Sequence, residues 1–276
     1  MITTNDGLKL YTKEWISLLV GTPTEQYKGI ICLIHGYGEH INRYNHVADY
    51  FNKNGYAVVG MDTRGFGQSE GKRGHTPNFD AYLNDIDALI NDVKSKYKNK
   101  PVFLYGHSMG GNLVLNYLIK KKPNLAGVIA SAPLIQPAFK PNPIIVHLAK
   151  IMRSIYPTFS QATGLNQNDI SKDPSVVAAY KADPLVFDSM SSAAGAGILE
   201  ANAFLNTYEG ALSVPTLIMH GEEDKLTSQP ASEAFEKRVK GDVTYKKWAG
   251  MYHEIHNEPD KQRVFDYTLG WLDSKV

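Results

Sequence analysis

The chain has 276 residues, of which 43% are hydrophobic and 21% are charged, and its formal net charge at pH 7 is +1. These proportions are those of an ordinary folded protein, and they exclude a disordered, collagen-like or coiled-coil chain. Basic and acidic residues are almost equal in number, whereas nucleic-acid-binding proteins usually carry a basic excess. We therefore expect no nucleic-acid partner.

The chain contains a single cysteine, Cys32, which excludes an intrachain disulfide and a zinc site built on cysteines. This cysteine usage fits a reducing compartment. Residues 1–15 contain no apolar segment of the kind that directs secretion. Residues 101–119 carry no charge, but glycines and polar residues fill their middle, which is unsuited to a membrane span. We therefore expect a cytoplasmic protein with a buried Cys32.

Short apolar runs predict strands that are covered on both faces. In chain order they are a first strand at 8–15, strands at 29–34, 56–61, 102–105, 127–130 and 215–219, and a more exposed last strand at 243–248. Amphipathic helical patterns lie between them, at 79–97, 110–120, 230–239 and 259–272. The alternation predicts an α/β fold with a mostly parallel sheet and helices on both faces.

The alternation of strands and helices stops between residues 137 and 211. Three prolines, Pro137, Pro141 and Pro143, precede a helical apolar stripe at 144–155, and a second helical pattern follows at 198–208. No buried strand is recognisable between these two patterns. We expect residues 1–136 and 212–276 to form the core, with 137–211 inserted into it as a helical cap.

The strongest chemical motif is Gly106-His107-Ser108-Met109-Gly110, which lies between a predicted strand and a predicted helix. In that context G-x-S-x-G is typical of a nucleophile elbow, a sharp turn that exposes the serine hydroxyl. The glycines leave room for the neighbouring elements. We predict that Ser108 is a nucleophile; the alternative is a glycine-rich turn without chemistry.

A serine nucleophile needs a histidine base and an acid that orients it, in the chain order serine, acid, histidine. The acid is expected after the strand at 215–219, where Glu222, Glu223 and Asp224 follow one another. The base is expected after the strand at 243–248, where His253 and His256 are both candidates. The residues alone leave these alternatives open.

The reaction also needs backbone donors for the oxyanion. One is the N–H of Met109, the residue after the nucleophile, and the other belongs to the loop after the strand at 29–34. That loop reads His35-Gly36-Tyr37-Gly38, so the N–H of Tyr37 is the second candidate.

The sequence resembles α/β-hydrolases of the monoacylglycerol lipase and lysophospholipase group over nearly its whole length. The shared motifs are HGYGEH at 35–40, RY at 43–44, DTRGFGQSEG at 62–71, GHSMGG at 106–111, Tyr180 with ADPL at 182–185, GEED at 221–224 and YHEIH at 252–256. The run H-G-x-G-E-H-x-x-R-Y is the most specific of them. The resemblance implies the α/β-hydrolase fold with a helical cap.

The resemblance also implies roles for individual residues. It selects Asp224 as the acid and His253 as the base, because the base of the family directly follows the tyrosine at this position. It implies that Glu39, Arg43 and His256 bind the alcohol part of the substrate, with Tyr180 of the cap near the leaving group. The alternative for Glu39 and Arg43 is a surface ion pair of two residues four apart.

We therefore expect a serine ester hydrolase that releases fatty acid and glycerol from monoacylglycerols and needs no metal or organic cofactor. The alternatives are a lysophospholipase, a general carboxylesterase and, in a different class, a non-catalytic binding protein on the same fold. The expected partner is a small lipid ester. The apolar cap stripe, with Lys150 and Arg153 at its rim, also offers a face for transient contact with a membrane. The sequence leaves the oligomeric state open.

Overall fold

The computed structural model describes residues 1–16, 27–139 and 143–276. Its strands are β1 (Ile2–Thr3), β2 (Lys9–Leu10), β3 (Thr12–Trp15), β4 (Gly29–Ile34), β5 (Tyr56–Met61), β6 (Val102–His107), β7 (Gly127–Ser131), β8 (Ser160–Gln161), β9 (Met190–Ser191), β10 (Thr216–Gly221) and β11 (Val243–Trp248). Its α-helices are α1 (Asn45–Lys53), α2 (Phe79–Lys96), α3 (Met109–Lys121), α4 (Pro143–Ile155), α5 (Pro174–Ala182), α6 (Ser192–Thr207), α7 (Gln229–Arg238) and α8 (Lys261–Asp273).

Within this described part, seven strands form the central sheet in the order β11-β10-β7-β6-β4-β5-β3. All neighbouring strands are parallel except β3, which is antiparallel to β5. Every residue of β4, β5, β6, β7 and β10 is buried. The predicted α/β fold with a mostly parallel sheet is therefore confirmed.

The sheet is covered on both faces, and its side chains alternate between two hydrophobic clusters. In β4, Ile30 and Ile34 belong to one cluster, which they share with α2, α3, α6 and α7. Ile31 and Leu33 belong to the other, which they share with α1 and α8. Cys32 lies in the first cluster, and burial raises the pKa of its thiol to about 12. Cys32 is thus a buried apolar residue, as the sequence predicts.

The single first strand predicted over 8–15 is wrong. The strand is interrupted at Tyr11: β2 ends at Leu10 and pairs with β1, whereas β3 begins at Thr12 and pairs with β5. The reason is a competing set of hydrogen bonds: the Tyr11 N–H donates to Ser69 Oγ at 2.8 Å, and the Tyr11 carbonyl accepts from the Asp62 N–H at 3.0 Å. These contacts tie the segment to the loop that follows β5.

The segment between β7 and β10 holds the predicted helices as α4 and α6, and also elements that the sequence did not predict. These are α5 and a short antiparallel ribbon of β8 and β9. In its described part, the segment adds no strand to the central sheet. Helix α6 packs on the core, since Ile198 and Leu205 belong to the first hydrophobic cluster. The division into core and cap at residues 137 and 211 stays a prediction.

Helix α4 carries the predicted apolar stripe. Pro141 and the side chains of Ile144, Ile145, Leu148 and Lys150 lie outside the described part of the structure. Among the described side chains, Ile151 and Ile155 are 43% and 73% exposed. None of the helices in the described residues is both long and apolar enough to cross a bilayer.

Candidate active site

Ser108 lies in the sharp turn between the end of β6 and the start of α3. Its φ of 54° and ψ of −115° place a non-glycine residue in a conformation that the surrounding structure must enforce. Both flanking glycines are required: a Cβ at Gly106 would lie 2.2 Å from the Gly110 carbonyl oxygen, and one at Gly110 would lie 2.3 Å from that of Ile34. The turn places Ser108 on the wall of a cavity.

His253 and Asp224 come from the loops that follow β11 and β10. The Nδ1 of His253 lies 2.7 Å from Oδ2 of Asp224, so Nε2 is the nitrogen left to face the cavity that His253 shares with Ser108. Burial disfavours the charged imidazolium, but the nearby carboxylates, Asp224 foremost and then Glu254 and Glu39, together raise the pKa of His253 above its ordinary value. This arrangement suits a general base with a fixed tautomer.

The Asp224 carboxylate is buried and accepts hydrogen bonds on both oxygens. Oδ1 accepts from the backbone N–H groups of Leu226 at 2.8 Å and Thr227 at 3.0 Å. Oδ2 accepts from the Thr227 hydroxyl at 2.7 Å and from Nε2 of His220 at 3.0 Å, in addition to His253. Burial opposes ionisation, but His253 and these donors hold the pKa of Asp224 well below its usual range.

The two carboxylates that precede Asp224 lie at the surface. Glu222 is 43% exposed and pairs with Lys247 at 3.2 Å, and Glu223 is 50% exposed and pairs with Lys172 at 2.9 Å. Of the three acids that the sequence left open, the structure brings Asp224 to the histidine.

The loop after β4 approaches the serine closely. A Cβ at Gly36 would lie 3.2 Å from the Cβ of Ser108, and the Gly36 N–H donates to Oε1 of Glu39 at 2.7 Å. Tyr37 comes next, and its hydroxyl donates to the Ser189 carbonyl of the cap segment at 2.8 Å. Met109 is the first residue of α3, so its N–H has no acceptor within the helix. Met109 directly follows Ser108 and Tyr37 lines the cavity, and the role of their N–H groups as oxyanion donors stays a prediction.

Arg43 is held between two buried carboxylates, which makes this cluster more than a surface ion pair. It binds Glu39, and its two terminal nitrogens each lie 2.7 Å from an oxygen of Glu254. The side chains of Arg43 and Glu39 are only 10% and 3% exposed. Burial opposes ionisation of Glu39, but Arg43 and the Tyr44 hydroxyl hold its pKa below the ordinary value.

His256 lies behind the cavity wall. Its fully buried ring stacks on Tyr44 with centroids 4.8 Å apart and meets His107 edge-on at 4.7 Å. The ring of His107 in turn lies beside that of His253, with centroids 4.7 Å apart. Burial and the neighbouring His107 lower the pKa of His256 far below its ordinary value, so the ring is neutral.

This placement divides the predicted head-group set into residues on the cavity wall and residues behind it. Among the described residues that line the cavity, Glu39 and Tyr180 are present, whereas Arg43 and His256 are absent. The guanidinium of Arg43 lies 4.6 Å from the centre of the Tyr180 ring. The structure therefore places Arg43 and His256 as supports behind the wall, and Glu39 and Tyr180 on its surface. Substrate binding by Glu39, Arg43, His256 and Tyr180 stays a prediction. Arg43 is held in ion pairs with Glu39 and Glu254, whereas both buried ring nitrogens of His256 have no hydrogen-bond partner among the described residues.

The cavity has a volume of about 340 Å³ and lies between the sheet loops and the segment that joins β7 to β10. Its lining includes Ser108, His253, Glu39, Glu254 and Tyr180. The rest of the lining is apolar over most of its area, with Leu134, Ile170, Met190, Ile198, Leu199 and Leu226, and it also holds polar residues such as Gln161, Asn166 and Asn202. Such a cavity accommodates a ligand with one polar end and a hydrocarbon tail.

Sequence reasoning assigned no role to Glu254, Thr227 or His220. Glu254 directly follows His253, so its place in the motif at 252–256 was a signal for it. Thr227 and His220 both contact Asp224, and the Thr227 hydroxyl also lies 3.3 Å from Nδ1 of His253; these contacts depend on how the loop folds.

The sheet order, the serine turn and the histidine–aspartate pair define an α/β-hydrolase fold. The sequence pattern of the family described as "Serine aminopeptidase, S33" matches residues 25–260, and the chain belongs to this hydrolase family.

Individual relatives agree with this assignment. The monoacylglycerol lipase of Mycolicibacterium smegmatis is 34% identical over 259 residues, which cover 93% of this chain and 92% of that protein. An abhydrolase domain-containing protein of Dictyostelium discoideum is 35% identical over 279 residues, and the match spans 30% of its length. The crystal structure of the Paleococcus ferrophilus monoacylglycerol lipase superposes with a TM-score of 0.87 at 31% identity, covering 97% of this chain and 100% of that one.

Proposed function

We propose that this protein hydrolyses monoacylglycerols to fatty acid and glycerol. The observation that carries the proposal is a single cavity in which Ser108 and the His253–Asp224 pair stand where an apolar wall meets buried carboxylates. The apolar wall suits one acyl chain. The hydroxyls of a neutral alcohol suit Glu39, which can accept their hydrogen bonds. The similarity to monoacylglycerol lipases supports the same substrate class.

In the first half of the proposed reaction, Nε2 of His253 takes the proton of Ser108 as its oxygen attacks the ester carbonyl. The oxyanion that forms accepts hydrogen bonds from the N–H groups of Tyr37 and Met109. Removing one such donor typically costs on the order of 10²–10³ in rate. His253 then protonates the leaving glycerol, and Asp224 stabilises the imidazolium throughout.

In the second half, His253 activates a water molecule that attacks the acyl-enzyme. The same backbone donors stabilise the second oxyanion, and His253 returns its proton to Ser108 as the fatty acid leaves. These steps use groups of the chain and water, and the proposal requires no metal or organic cofactor.

A lysophospholipase is the main alternative, and the charges at the cavity wall argue against it. Two carboxylates, Glu39 and Glu254, face one guanidinium, Arg43, so the cluster carries a net negative charge. A phosphate next to the scissile ester would lie near this charge and be disfavoured.

The experiment compares fatty-acid release from a monoacylglycerol, the methyl ester of the same acid, and the matching lysophosphatidylcholine, with Ser108→Ala as control. We expect the monoacylglycerol to be the best substrate and the control to lose nearly all turnover while staying folded. Equal rates on the two uncharged esters would reduce the protein to a general esterase. Faster release from the lysophospholipid, or turnover by the folded control, would contradict the proposal.

A matched pair of variants tests whether the negative charge beside Arg43 disfavours a phosphate head group. Glu254→Gln removes the excess negative charge at the cavity wall, so we expect it to narrow the preference for monoacylglycerol over lysophospholipid. Glu222→Gln removes a surface carboxylate that pairs with Lys247, and we expect its preference to match the wild-type protein. An unchanged preference in Glu254→Gln would remove the electrostatic reason for rejecting phosphate.

We also propose that residues 137–211 form a cap that contacts lipid surfaces transiently, while the cytoplasmic location expected from the sequence stays a prediction. The support is a group of exposed apolar side chains in and before α4 and in the loop after it: Phe139, Ile151, Ile155, Tyr156 and Phe159. Arg153 of α4 is paired with Glu200, which leaves the apolar side chains as the main feature of this face.

Co-sedimentation with neutral phosphatidylcholine vesicles tests the contact. The double substitution Ile155→Ser and Tyr156→Ser should weaken binding, because both side chains are more than half exposed. Val276→Ser changes an apolar residue of similar exposure that lies outside residues 137–211. This variant should bind the vesicles as the wild-type protein does. Equal binding of all three proteins would contradict the proposed cap contact.

A further inference from the structure

A second histidine, His220, shares an oxygen of Asp224 with His253. His220 is the fifth residue of β10, its side chain is fully buried, and its Nε2 lies 3.0 Å from the Oδ2 that His253 also contacts. None of the catalytic steps proposed above uses His220. Its position is nevertheless specific, since one carboxylate oxygen stands between two imidazole rings.

The surroundings of His220 fix which ring nitrogen carries the hydrogen. Nε2 faces Oδ2 of Asp224 and, at 3.2 Å, the carbonyl oxygen of Thr227. Both atoms are acceptors, so Nε2 must be the donor. Nδ1 lies 2.9 Å from the Oγ of Ser232 in α7, a hydroxyl that can donate to it. A continuous line of hydrogen bonds therefore runs from Ser232 through His220 and Asp224 to His253.

We propose that His220 is a positioning residue that fixes the Asp224 carboxylate and shares its charge with His253. The inference rests on the proposed function, because it assigns His220 an effect on the pair that activates Ser108. Oδ2 of Asp224 accepts hydrogen bonds from both His220 and His253. It therefore stabilises the His253 imidazolium less than it would if His253 were its only imidazole donor. His220 thereby keeps His253 available as a base in less alkaline solution.

Because the two rings share Oδ2 of Asp224, removing His220 should change the protonation of His253 in one direction. Without the His220 donor, Asp224 stabilises the His253 imidazolium more strongly, so His253 stays protonated to a higher pH. The acid limb of the kcat/KM profile should then move upward in pH. The other titratable groups near His253 in the described part of the chain are Glu254, Glu39, His107 and His256, and the change leaves all four in place.

The test compares two substitutions with the same backbone position. His220→Leu fills the space with an apolar side chain and removes the donor. His220→Gln keeps a donor the same number of bonds from Cα. With monoacylglycerol as substrate, we expect His220→Leu to lose about tenfold more kcat/KM at acidic than at alkaline pH, a difference that corresponds to about one pH unit in the acid limb. His220→Gln should restore most of the loss.

Two further variants keep the test decisive. Ser232→Ala removes the partner of Nδ1 and leaves His220 in place, so we expect a smaller upward displacement of the acid limb even if His220→Leu does not fold. His75→Gln is the matched control, because His75 also binds a serine through Nδ1, Ser191 at 2.9 Å, in a pair without a carboxylate. Its acid limb should coincide with that of the wild-type protein.

The outcomes separate this inference from the proposed function. An acid limb that stays in place or moves down in folded His220→Leu or Ser232→Ala, or a His220→Gln variant no better than His220→Leu, overturns the positioning role. If Ser108→Ala in the same series keeps turnover, the proposed function fails instead. Loss of stability without a displaced limb identifies His220 as a packing residue and also overturns the inference.

Discussion

The loops at the carboxyl end of the sheet and the proposed cap, residues 137–211, are built in opposite ways. At the sheet, Asp224 and Glu39 are buried charges with several hydrogen-bond partners each. On the cap, Ile155 and Tyr156 are apolar and exposed. A buried carboxylate is stable only where its hydrogen-bond partners are in place, which fixes its position. An exposed apolar side chain has no such requirement and can pack against a surface that the protein meets. The comparison teaches that the proposed chemistry is fixed by the sheet loops and the proposed lipid contact by the cap.

The two regions meet at the loop that carries His253. The Glu254 N–H donates to the carbonyl of Ile170 at 2.7 Å. One oxygen of Glu258 accepts from the N–H groups of Tyr252 at 3.0 Å and Lys172 at 3.1 Å. Hydrogen bonds thus join the segment before α5 to the loop that carries His253, and they fix the cavity wall on this side.

The largest effect should come from breaking the buried pair in the sheet loops. Asp224→Asn leaves the shape intact but favours the wrong tautomer of His253, and we expect kcat to fall by about 10⁴-fold. Glu223→Gln, which changes an exposed neighbour, should retain wild-type activity. The measurement is fatty-acid release from a monoacylglycerol. A loss shared equally by both variants would show that the loop as a whole, and not Asp224, carries the effect.

The second effect concerns stability in the same region. Arg43→Met leaves Glu39 and Glu254 buried without their cation, which should lower the free energy of unfolding by about 3–5 kcal/mol. Urea unfolding followed by circular dichroism measures it. Lys237→Met, which breaks an exposed pair with Glu233, should unfold at the wild-type urea concentration. Equal midpoints for the two variants would mean that the Arg43 cluster does not stabilise the fold.

A smaller effect sharpens the electrostatic part of the comparison. Glu254 is among the charges that raise the pKa of His253, after Asp224. A base must be unprotonated to act, so kcat/KM of the wild type should fall as the pH drops through this raised pKa. Glu254→Gln lowers that pKa, and the acid limb should move to lower pH. An upward displacement would contradict the account and is the direction expected of His220→Leu.

The smallest effect should come from the cap surface. Ile155 is 73% exposed, so Ile155→Ser removes little buried contact and should change stability by no more than about 0.5 kcal/mol. Its activity on a short-chain ester in solution should equal that of the wild type, while activity on vesicle-bound monoacylglycerol should be lower. A large loss of stability would show that α4 is part of the packed core.

Most strands of the central sheet were predictable because they are continuous apolar runs, and β4 and β5 have the predicted bounds. The alternating, more exposed β11 also has its predicted bounds. Helix α5 was missed although Asp173 caps it and Pro174 begins it, a signal that the sequence carries. The acid and the base stayed open because spacing along the chain does not show which carboxylate is buried. The positions of Arg43 and His256 depend on Glu254 and Tyr44, contacts between distant segments that no local pattern reveals.

The most direct test of the account is to find which residue reacts with a fluorophosphonate, and what remains of activity afterwards. Peptide mass mapping should locate the label on Ser108, a monoacylglycerol should slow the labelling, and fatty-acid release should fall in proportion to the labelled fraction. Ser108→Ala should take up no label. A label on another residue, or full release of fatty acid from fully labelled protein, would contradict the claim that Ser108 is the nucleophile of a monoacylglycerol hydrolase.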